Sequence, residues 1–148
     1  MKKHFTATAY IAAKINGEFR VLLHRHKKLN LWLGIGGHIE KDENPVEAVI
    51  REIKEETCLE VALIGDKLFK VDDVEELIRP VALLEEHLPP YKSEPAHYHI
   101  DLIYFAICKN PQKIKMAEEF NWFSKKDLQK LKLEKEVRYL IEKLFKYV

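Results

Sequence analysis

The stretch "GHIEKDENPVEAVIREIKEETCL", residues 37–59, joins a glycine-led loop to an acidic segment with helical spacing. Asn44 stands before Pro45, and Glu47 follows three positions after it. This N-x-x-E capping box, with proline in the first turn, predicts a helix that begins at residue 45. We expect the helix to cover residues 45–57.

Three carboxylates crowd one face of this predicted helix. At about 100° per residue, Glu52, Glu55 and Glu56 (the acidic triad) project together. The predicted core face beside them comprises Val46, Val49, Ile50, Ile53 and Thr57. Like charges at these spacings cost about 0.2–0.5 kcal/mol per pair, so a compensating cation is expected. Oxygen ligands alone suit Mg²⁺ or Mn²⁺, and a solvated helix face is the alternative.

The loop before the helix contains Gly34, Gly36 and Gly37. Glycines allow the backbone to approach a ligand or a metal ion closely. As a nucleotide motif, "GIGG" is weak, because it lacks the Lys-Ser/Thr of a P-loop and the spacing of a dinucleotide fingerprint. Ordinary turn glycines are therefore the alternative interpretation.

Taken together, residues 37–59 closely resemble the Nudix box, G-x5-E-x7-R-E-U-x-E-E-x-G-U, in which U is aliphatic. Gly37, Glu43, Arg51 and the acidic triad match it, and the departure is Cys58, where the family has glycine. That glycine follows the helix in a left-handed conformation, which costs a residue with a Cβ about 1 kcal/mol. We interpret Cys58 as a tolerated helix stop rather than a reactive thiol.

The resemblance to MutT-like Nudix hydrolases implies Mg²⁺ or Mn²⁺, bound by the acidic triad and the carbonyl oxygen of Gly36. It also implies that Arg51 pairs with Glu43 to orient the helix. Glu118 and Glu119 precede "NWF" as a further acid does in relatives. We assign Glu119, Arg51 and the acidic triad as catalytic, and an exposed acidic pair is the alternative for Glu118 and Glu119.

The predicted substrate-binding residues flank the same loop. Arg25, on the strand before it, would contact phosphate, although a salt bridge is an equal alternative. The full predicted set is Arg25, Gly36, Gly37, His38 and His99.

Five residues outside the box suggest a second polar face. His97, His99 and Asp101 alternate on one predicted strand, as do His24 and His26 on another. Two such strands would assemble a zinc site if they were adjacent. Histidines that line a polar substrate cleft are favoured over a zinc site, and structural roles are the leading alternative to both.

No sequence feature identifies the substrate directly, so the substrate is predicted from the subfamily markers that this sequence lacks. In relatives, a proline marks ADP-ribose hydrolases and a tyrosine marks dinucleoside polyphosphate hydrolases, and the equivalent positions here hold Val74 and Glu76. We therefore expect a nucleoside triphosphate to be cleaved to monophosphate and pyrophosphate, with ADP-ribose and dinucleoside polyphosphates as alternatives. A nucleotide-binding regulatory module without turnover is the rival class.

The rest of the chain predicts an α+β fold, a Nudix-type α/β/α sandwich around a mixed sheet in one domain over residues 1–148. Asn16-Gly17 predicts a hairpin turn. We expect strands at 5–15, 18–26, 61–71, 97–108 and 118–124, an irregular connection over 72–96 and a final helix over 125–146.

The composition of the chain limits the kinds of partner that we expect the protein to bind. The 25 Lys and Arg residues nearly balance the 24 Asp and Glu residues, giving a formal charge of +1. This argues against nucleic-acid or anionic-membrane binding, and no apolar run reaches the roughly 18 residues of a membrane span. The two cysteines lack metal-site spacing and are expected to be reduced, in the cytoplasm. The family resemblance adds a homodimer as a weak expectation.

Overall fold

The computed structural model describes residues 1–27, 29–117 and 119–148, which form a mixed sheet with helices. In chain order the elements are β1 (Lys3–Ile15), β2 (Glu18–His26), β3 (Leu31–Leu33), β4 (Ile35–His38), α1 (Pro45–Thr57), β5 (Ala62–Ile64), β6 (Ala82–Leu88), β7 (His97–Ile107), a 3-10 turn (Pro111–Lys113), β8 (Phe120–Phe123), α2 (Lys125–Gln129) and α3 (Lys135–Tyr147). No helix within the described ranges is both long and apolar enough to cross a membrane.

The sheet is built around β1. This strand runs parallel to β7 from the pair Lys3–Tyr98 to the pair Ala12–Ile107. Antiparallel β2 and β4 pair with β1, β3 and β8 pair with β2, and β5 and β6 pair with β7. The predicted β1–β2 hairpin is present, and Asn16 and Gly17 both have positive φ angles, 51° and 84°, as a type I′ turn requires.

Strand alternation divides the core between the two faces of the sheet. One set of β1 side chains, including Ala9 and Ile11, packs with Ile53 of α1. The other set, including Ala12, packs with Leu144 of α3. The predicted fold class is therefore confirmed: helices cover both faces of a mixed sheet.

Two predictions between residues 61 and 96 are wrong. The strand expected over 61–71 is limited to β5, and the connection expected over 72–96 contains β6. The reason is competition for one edge of β7. Because β1 occupies the other edge, β6 pairs with His97–Ile103 and leaves only Phe105–Ile107 for β5.

The final helix predicted over 125–146 is in fact two helices, α2 and α3. Arg138 of α3 donates hydrogen bonds to the carbonyl oxygens of Leu128 (3.2 Å) and Leu131 (2.7 Å). These carbonyls lie at the end of α2 and just beyond it, where a helix leaves acceptors without intrahelical partners. The side chain of Arg138 thus stabilises a break that helical periodicity did not indicate.

A polar network occupies the α3 side of the sheet. Oδ1 of the buried Asp101 accepts hydrogen bonds from the hydroxyls of Thr6 and Thr8, both at 2.9 Å. Glu86 also bonds to Asp101, and burial followed by the charge of Asp101 raises the pKa of Glu86 to about 7. Burial raises the pKa of Asp101 as well, and because a hydrogen bond between two carboxyl groups needs a proton on one of them, the pair favours sharing one proton.

The end of α1 explains the departure at Cys58. Its N–H donates to the carbonyl oxygen of Lys54 at 3.0 Å, and its φ and ψ angles are 64° and 8°. This is the left-handed conformation that favours glycine. Cys58 is exposed, so its side chain gains little packing in return.

We predict that Cys58→Gly raises the free energy of unfolding by about 0.5–1 kcal/mol, because it removes this left-handed strain. Urea unfolding would measure the change. Cys58→Ala is the matched control, since it removes the thiol and keeps the Cβ. An equal gain in Cys58→Ala would show that strain is not the cause.

We predict that Glu86 contributes to the free energy of unfolding at low pH and that this contribution is lost as pH rises from about 4.5 to about 7, because the folded protein retains the Glu86 proton that the unfolded chain has lost. The unaltered protein should therefore lose stability relative to Glu86→Gln across this window, since the contributions of other titrating groups are common to both. Urea unfolding at several pH values would measure it, with the exposed neighbour Glu85→Gln as control. Equal slopes for Glu86→Gln and the unaltered protein would contradict the shared-proton assignment.

Candidate active site

Helix α1 places its acids at the edge of the core. The predicted capping box is present: the Asn44 side chain accepts from the Glu47 N–H at 2.8 Å, and the Glu47 carboxylate accepts from the Asn44 N–H at 3.0 Å. Val49 and Ile53 are fully buried, whereas Ile50, predicted on the core face, is 38% exposed. Because Ala48 is fully buried instead, the buried stripe is shifted around the helix from the predicted one, toward the side that carries Glu52, and Glu52 packs against Gly37 of the loop.

Arg51 holds the loop and the helix together. It pairs with Glu43 through two hydrogen bonds, Nε to Oε2 at 2.7 Å and Nη2 to Oε1 at 3.0 Å. Its Nη1 donates to Glu52 at 2.9 Å and to Glu55 at 3.2 Å, and Nη2 reaches the carbonyl oxygen of His38 at 3.1 Å. The hydrogen bonds from Arg51 lower the pKa of Glu43. The Arg51–Glu43 pair that the resemblance implied is thus formed.

Gly37 leaves the space that Glu52 fills. A Cβ built on Gly37 would lie 2.5 Å from Oε1 of Glu52 and 2.7 Å from its Cδ. Gly36 is constrained differently, because a Cβ there would overlap the backbone carbonyl oxygen of Ala7. Gly37 therefore makes room for a carboxylate, and Gly36 makes room for the close pairing of β4 with β1.

The electrostatics of the acidic triad fit a divalent cation. Partial loss of solvation, then the charge of Glu52 and a hydrogen bond with it, and then the charge of Glu55, raise the pKa of Glu56 to about 7. Glu56 is exposed by surface area, so an ion can reach it from solvent. Neighbouring carboxylates repel one another when all are ionised, and a divalent cation would offset that repulsion. Mg²⁺ and Mn²⁺ are the cations that prefer oxygen donors.

Two predicted site residues, Glu119 and Arg25, are joined to each other by a backbone hydrogen bond. Within residues 1–27, 29–117 and 119–148, no hydrogen bond or ion pair joins the Glu119 carboxylate to the triad. Glu119 instead lies at the start of β8, where its charge acts to raise the pKa of His24 against a larger lowering by burial. Its carbonyl oxygen accepts from the Arg25 N–H at 2.7 Å. Glu118 falls outside the described residues.

The Arg25 side chain carries a donor that the described part of the protein does not use. Its Nε is buried and has no hydrogen-bond partner there. A buried guanidinium N–H without an acceptor is unfavourable, and an anionic ligand would satisfy it. This feature is compatible with the predicted phosphate contact.

The histidines form a different cluster from the one that the sequence suggested. His99 lies with His4, His38 and His97 rather than with His24 and His26. The parallel register of β1 and β7, which pairs His4 with His99, brings them together. Burial, followed by the nearby histidines, lowers the pKa of His99 to about 4. His4 was missed because the sequence analysis did not pair β1 with β7.

Comparisons with known proteins agree with this arrangement. Residues 4–144 match the NUDIX domain. A hydrolase of the NUDIX family from Clostridium perfringens is 27% identical, with 99% of each chain covered and a TM-score of 0.76.

Two further solved structures share the fold at lower identity. The C. elegans Ap4A hydrolase is 20% identical, with 99% of this chain and 98% of that chain covered and a TM-score of 0.65. The NUDIX domain of Shewanella oneidensis NrtR, complexed with ADP ribose, is 18% identical, with 99% and 89% covered and a TM-score of 0.57.

The match covers nearly the whole chain, and the structure holds the arginine, glycines and acids of the box in one site. Nudix hydrolases use divalent metal ions, which is the chemistry that the acidic triad fits. The chain therefore belongs to the NUDIX domain family and is a pyrophosphohydrolase that acts on phosphoanhydride bonds.

Proposed function

We propose that the protein hydrolyses a nucleoside triphosphate to the monophosphate and pyrophosphate, using Mg²⁺ or Mn²⁺. In this proposal the acidic triad and the carbonyl oxygen of Gly36 bind the metal. The observation that carries it is the crowding of carboxylates at Arg51, which pairs with Glu52 and Glu55 of the triad as well as with Glu43, together with the raised pKa of Glu56, about 7. A divalent cation would offset that repulsion and bring phosphate oxygens to the same place.

The chain's own residues would position the reaction. When bound, a divalent cation supplies positive charge that neutralises pyrophosphate oxygens and acidifies a water molecule. Arg51 fixes the Glu52 carboxylate beside Gly37, where it would accept a proton from the attacking water. Because Arg51 also bonds Glu43, the carboxylate is oriented before substrate arrives, which reduces the reorganisation needed in the transition state.

The remaining assignments are part of the same proposal. Arg25 would donate its unused Nε–H to substrate phosphate. His38 and His99 are the other proposed substrate contacts, and because they lie on the opposite face of the sheet from Glu52 they would meet only a part of the substrate that extends past β4. Glu119 would supply a further acid from the segment before β8, after a movement toward the acidic triad. The ligand would be a small nucleotide, and the protein would act in the cytoplasm as a homodimer. The balanced formal charge of +1 gives no support for binding to nucleic acid or to a membrane.

Two alternative substrates follow from the solved structures named above. One is a dinucleoside polyphosphate, after the Ap4A hydrolase, and the other is ADP-ribose, after the NrtR complex. Both contain the phosphoanhydride that the site would cleave. We rank them below a nucleoside triphosphate because this sequence lacks the proline and the tyrosine that mark those groups.

The test is product analysis by anion-exchange chromatography with Mg²⁺ and a panel of nucleoside triphosphates, ADP-ribose and dinucleoside polyphosphates. We expect monophosphate and pyrophosphate from a nucleoside triphosphate. We expect Glu56→Gln to lower the rate at least about 100-fold, since it removes a charged metal ligand. Glu60→Gln is the control, because Glu60 is exposed and forms a solvent-accessible ion pair with Lys54 at 3.6 Å.

Faster turnover of ADP-ribose or a dinucleoside polyphosphate would replace the proposed substrate. Nucleotide binding without product from any substrate would instead favour a regulatory module. Full activity in Glu56→Gln would overturn the assignment of this residue to the metal site.

The two glycines of the loop should respond differently to alanine. We predict that Gly37→Ala lowers hydrolysis about tenfold or more with a small change in stability, because its Cβ displaces the Glu52 side chain. Gly36→Ala should lower the free energy of unfolding by about 1–3 kcal/mol or more, because its Cβ meets backbone. Thermal melts and rate measurements on both variants would separate the effects. A stable, active Gly37→Ala would contradict the role of Glu52.

A further inference from the structure

Four histidines meet on the α3 side of the sheet. The ring centroids of His4 and His97 are 4.9 Å apart, those of His97 and His99 are 5.0 Å apart, and those of His38 and His99 are 5.2 Å apart. Three strands supply them: His4 from β1, His38 from β4, and His97 and His99 from β7. Because the strands are hydrogen-bonded neighbours, the cluster is held by the sheet rather than by flexible loops.

The ring nitrogens converge closely enough to share one ion. One ligand atom from each of His4, His38 and His99 lies within 4.8 Å of the other two. Tetrahedral zinc with Zn–N bonds of about 2.0–2.1 Å places its nitrogens about 3.3 Å apart, so modest side-chain rotation closes the gap. His4, Glu94 and His97 form a second such group, which shares His4.

Two hydrogen-bonding features favour metal binding by this cluster. Nδ1 of His4 is buried and has no hydrogen-bond partner among the described residues, which is unfavourable for a polar atom. Nδ1 of His97 lies 3.0 Å from the carbonyl oxygen of Pro95. Since a carbonyl only accepts, this nitrogen carries the proton in neutral His97, and the lone pair of its Nε2 points to Nε2 of His99, 3.2 Å away, inside the cluster. Backbone carbonyls orient metal-binding histidines in the same way.

We propose that His4, His38 and His99 bind one transition metal ion of the Zn²⁺ class, with His97 and Glu94 beside it as supporting or additional ligands. Imidazole nitrogens suit Zn²⁺, Co²⁺, Ni²⁺ and Cu²⁺, whereas Mg²⁺ prefers oxygen donors. This centre is separate from the carboxylate site of the hydrolase. Three nitrogen ligands would leave a coordination position open for water or another small ligand.

The sheet separates the two metal sites. Gly37 faces α1, because a Cβ there would meet Glu52 of that helix. Successive residues of a strand point to opposite faces, so His38 points away from α1. His38 is also exposed, which gives an ion a path from solvent. An ion in the histidine cluster therefore needs no contact with the acidic triad.

The test measures metal binding rather than catalysis. Purified protein in excess Mg²⁺, which occupies the carboxylate site, would be titrated with Co²⁺ and followed by visible absorption, and with Zn²⁺ followed by calorimetry. We expect one ion per chain and the strong absorption of nitrogen-ligated Co²⁺. His38→Asn and His99→Asn should each weaken binding at least about tenfold, since even residues that only support a ligand contribute that much.

Two control variants locate the ion. His87→Asn should bind normally, because His87 lies on β6 and packs against Tyr98, with ring centroids 5.3 Å apart, outside the cluster. Glu56→Gln should also bind Zn²⁺ normally. Because His38 is exposed, His38→Asn is expected to fold, and circular dichroism would verify this for every variant. Absence of Zn²⁺ binding in excess Mg²⁺, or binding lost in Glu56→Gln and kept in His38→Asn and His99→Asn, would overturn the proposal.

Discussion

The parallel pairing of β1 with β7 is the constraint on which the other features of this protein depend. It runs over ten successive residue pairs through the centre of the sheet. β2 and β4 attach to β1, and β5 and β6 attach to β7, so every other strand except β3 and β8 is positioned directly by this pair. A shift of one residue in a strand would exchange its two faces, moving core side chains to the wrong helix and separating His4 from His99. One register therefore determines the packing and the polar clusters together.

The acidic site illustrates how a single cation organises like charges. Arg51 contacts carboxylates from both the loop and the helix, and its own side chain is 23% exposed, so solvent screens these contacts only partly. Two of its hydrogen bonds go to Glu43, outside the acidic triad. The triad therefore carries more negative charge than this one guanidinium can balance. Partial loss of solvation is the largest cause of the raised pKa of Glu56, and the charges of Glu52 and Glu55 add to it. Negative charge therefore remains on the oxygen donors of this site after Arg51 has paired. A site with these properties binds a divalent cation well.

The two faces of the sheet carry different donor chemistry within a few residues of one another. Carboxylates of α1 lie on one side of β4, and imidazoles lie on the other, because Gly37 and His38 are consecutive. A hard cation such as Mg²⁺ would therefore bind on the carboxylate side of β4, and a borderline cation such as Zn²⁺ would bind on the imidazole side. The Asp101–Glu86 pair, on the imidazole side, adds two hydrogen-bonded carboxyl groups with raised pKa values to the same face. The sheet thus supports the helix that bears the hydrolase residues and also separates them from a second polar environment.

Local chemistry made much of this predictable from sequence. The capping box set the start of α1, helical periodicity grouped the acidic triad, and Asn16-Gly17 marked the hairpin, because each depends on residues a few positions apart. The extent of β5, the existence of β6 and the break before α3 were mispredicted, because they depend on competition for the edge of β7 and on hydrogen bonds from Arg138. The sequence alone therefore determined the family and the acids on one helix. Only the tertiary structure decided which histidines meet, because strand pairing joins residues as far apart as His4 and His99, and no local pattern encodes that register.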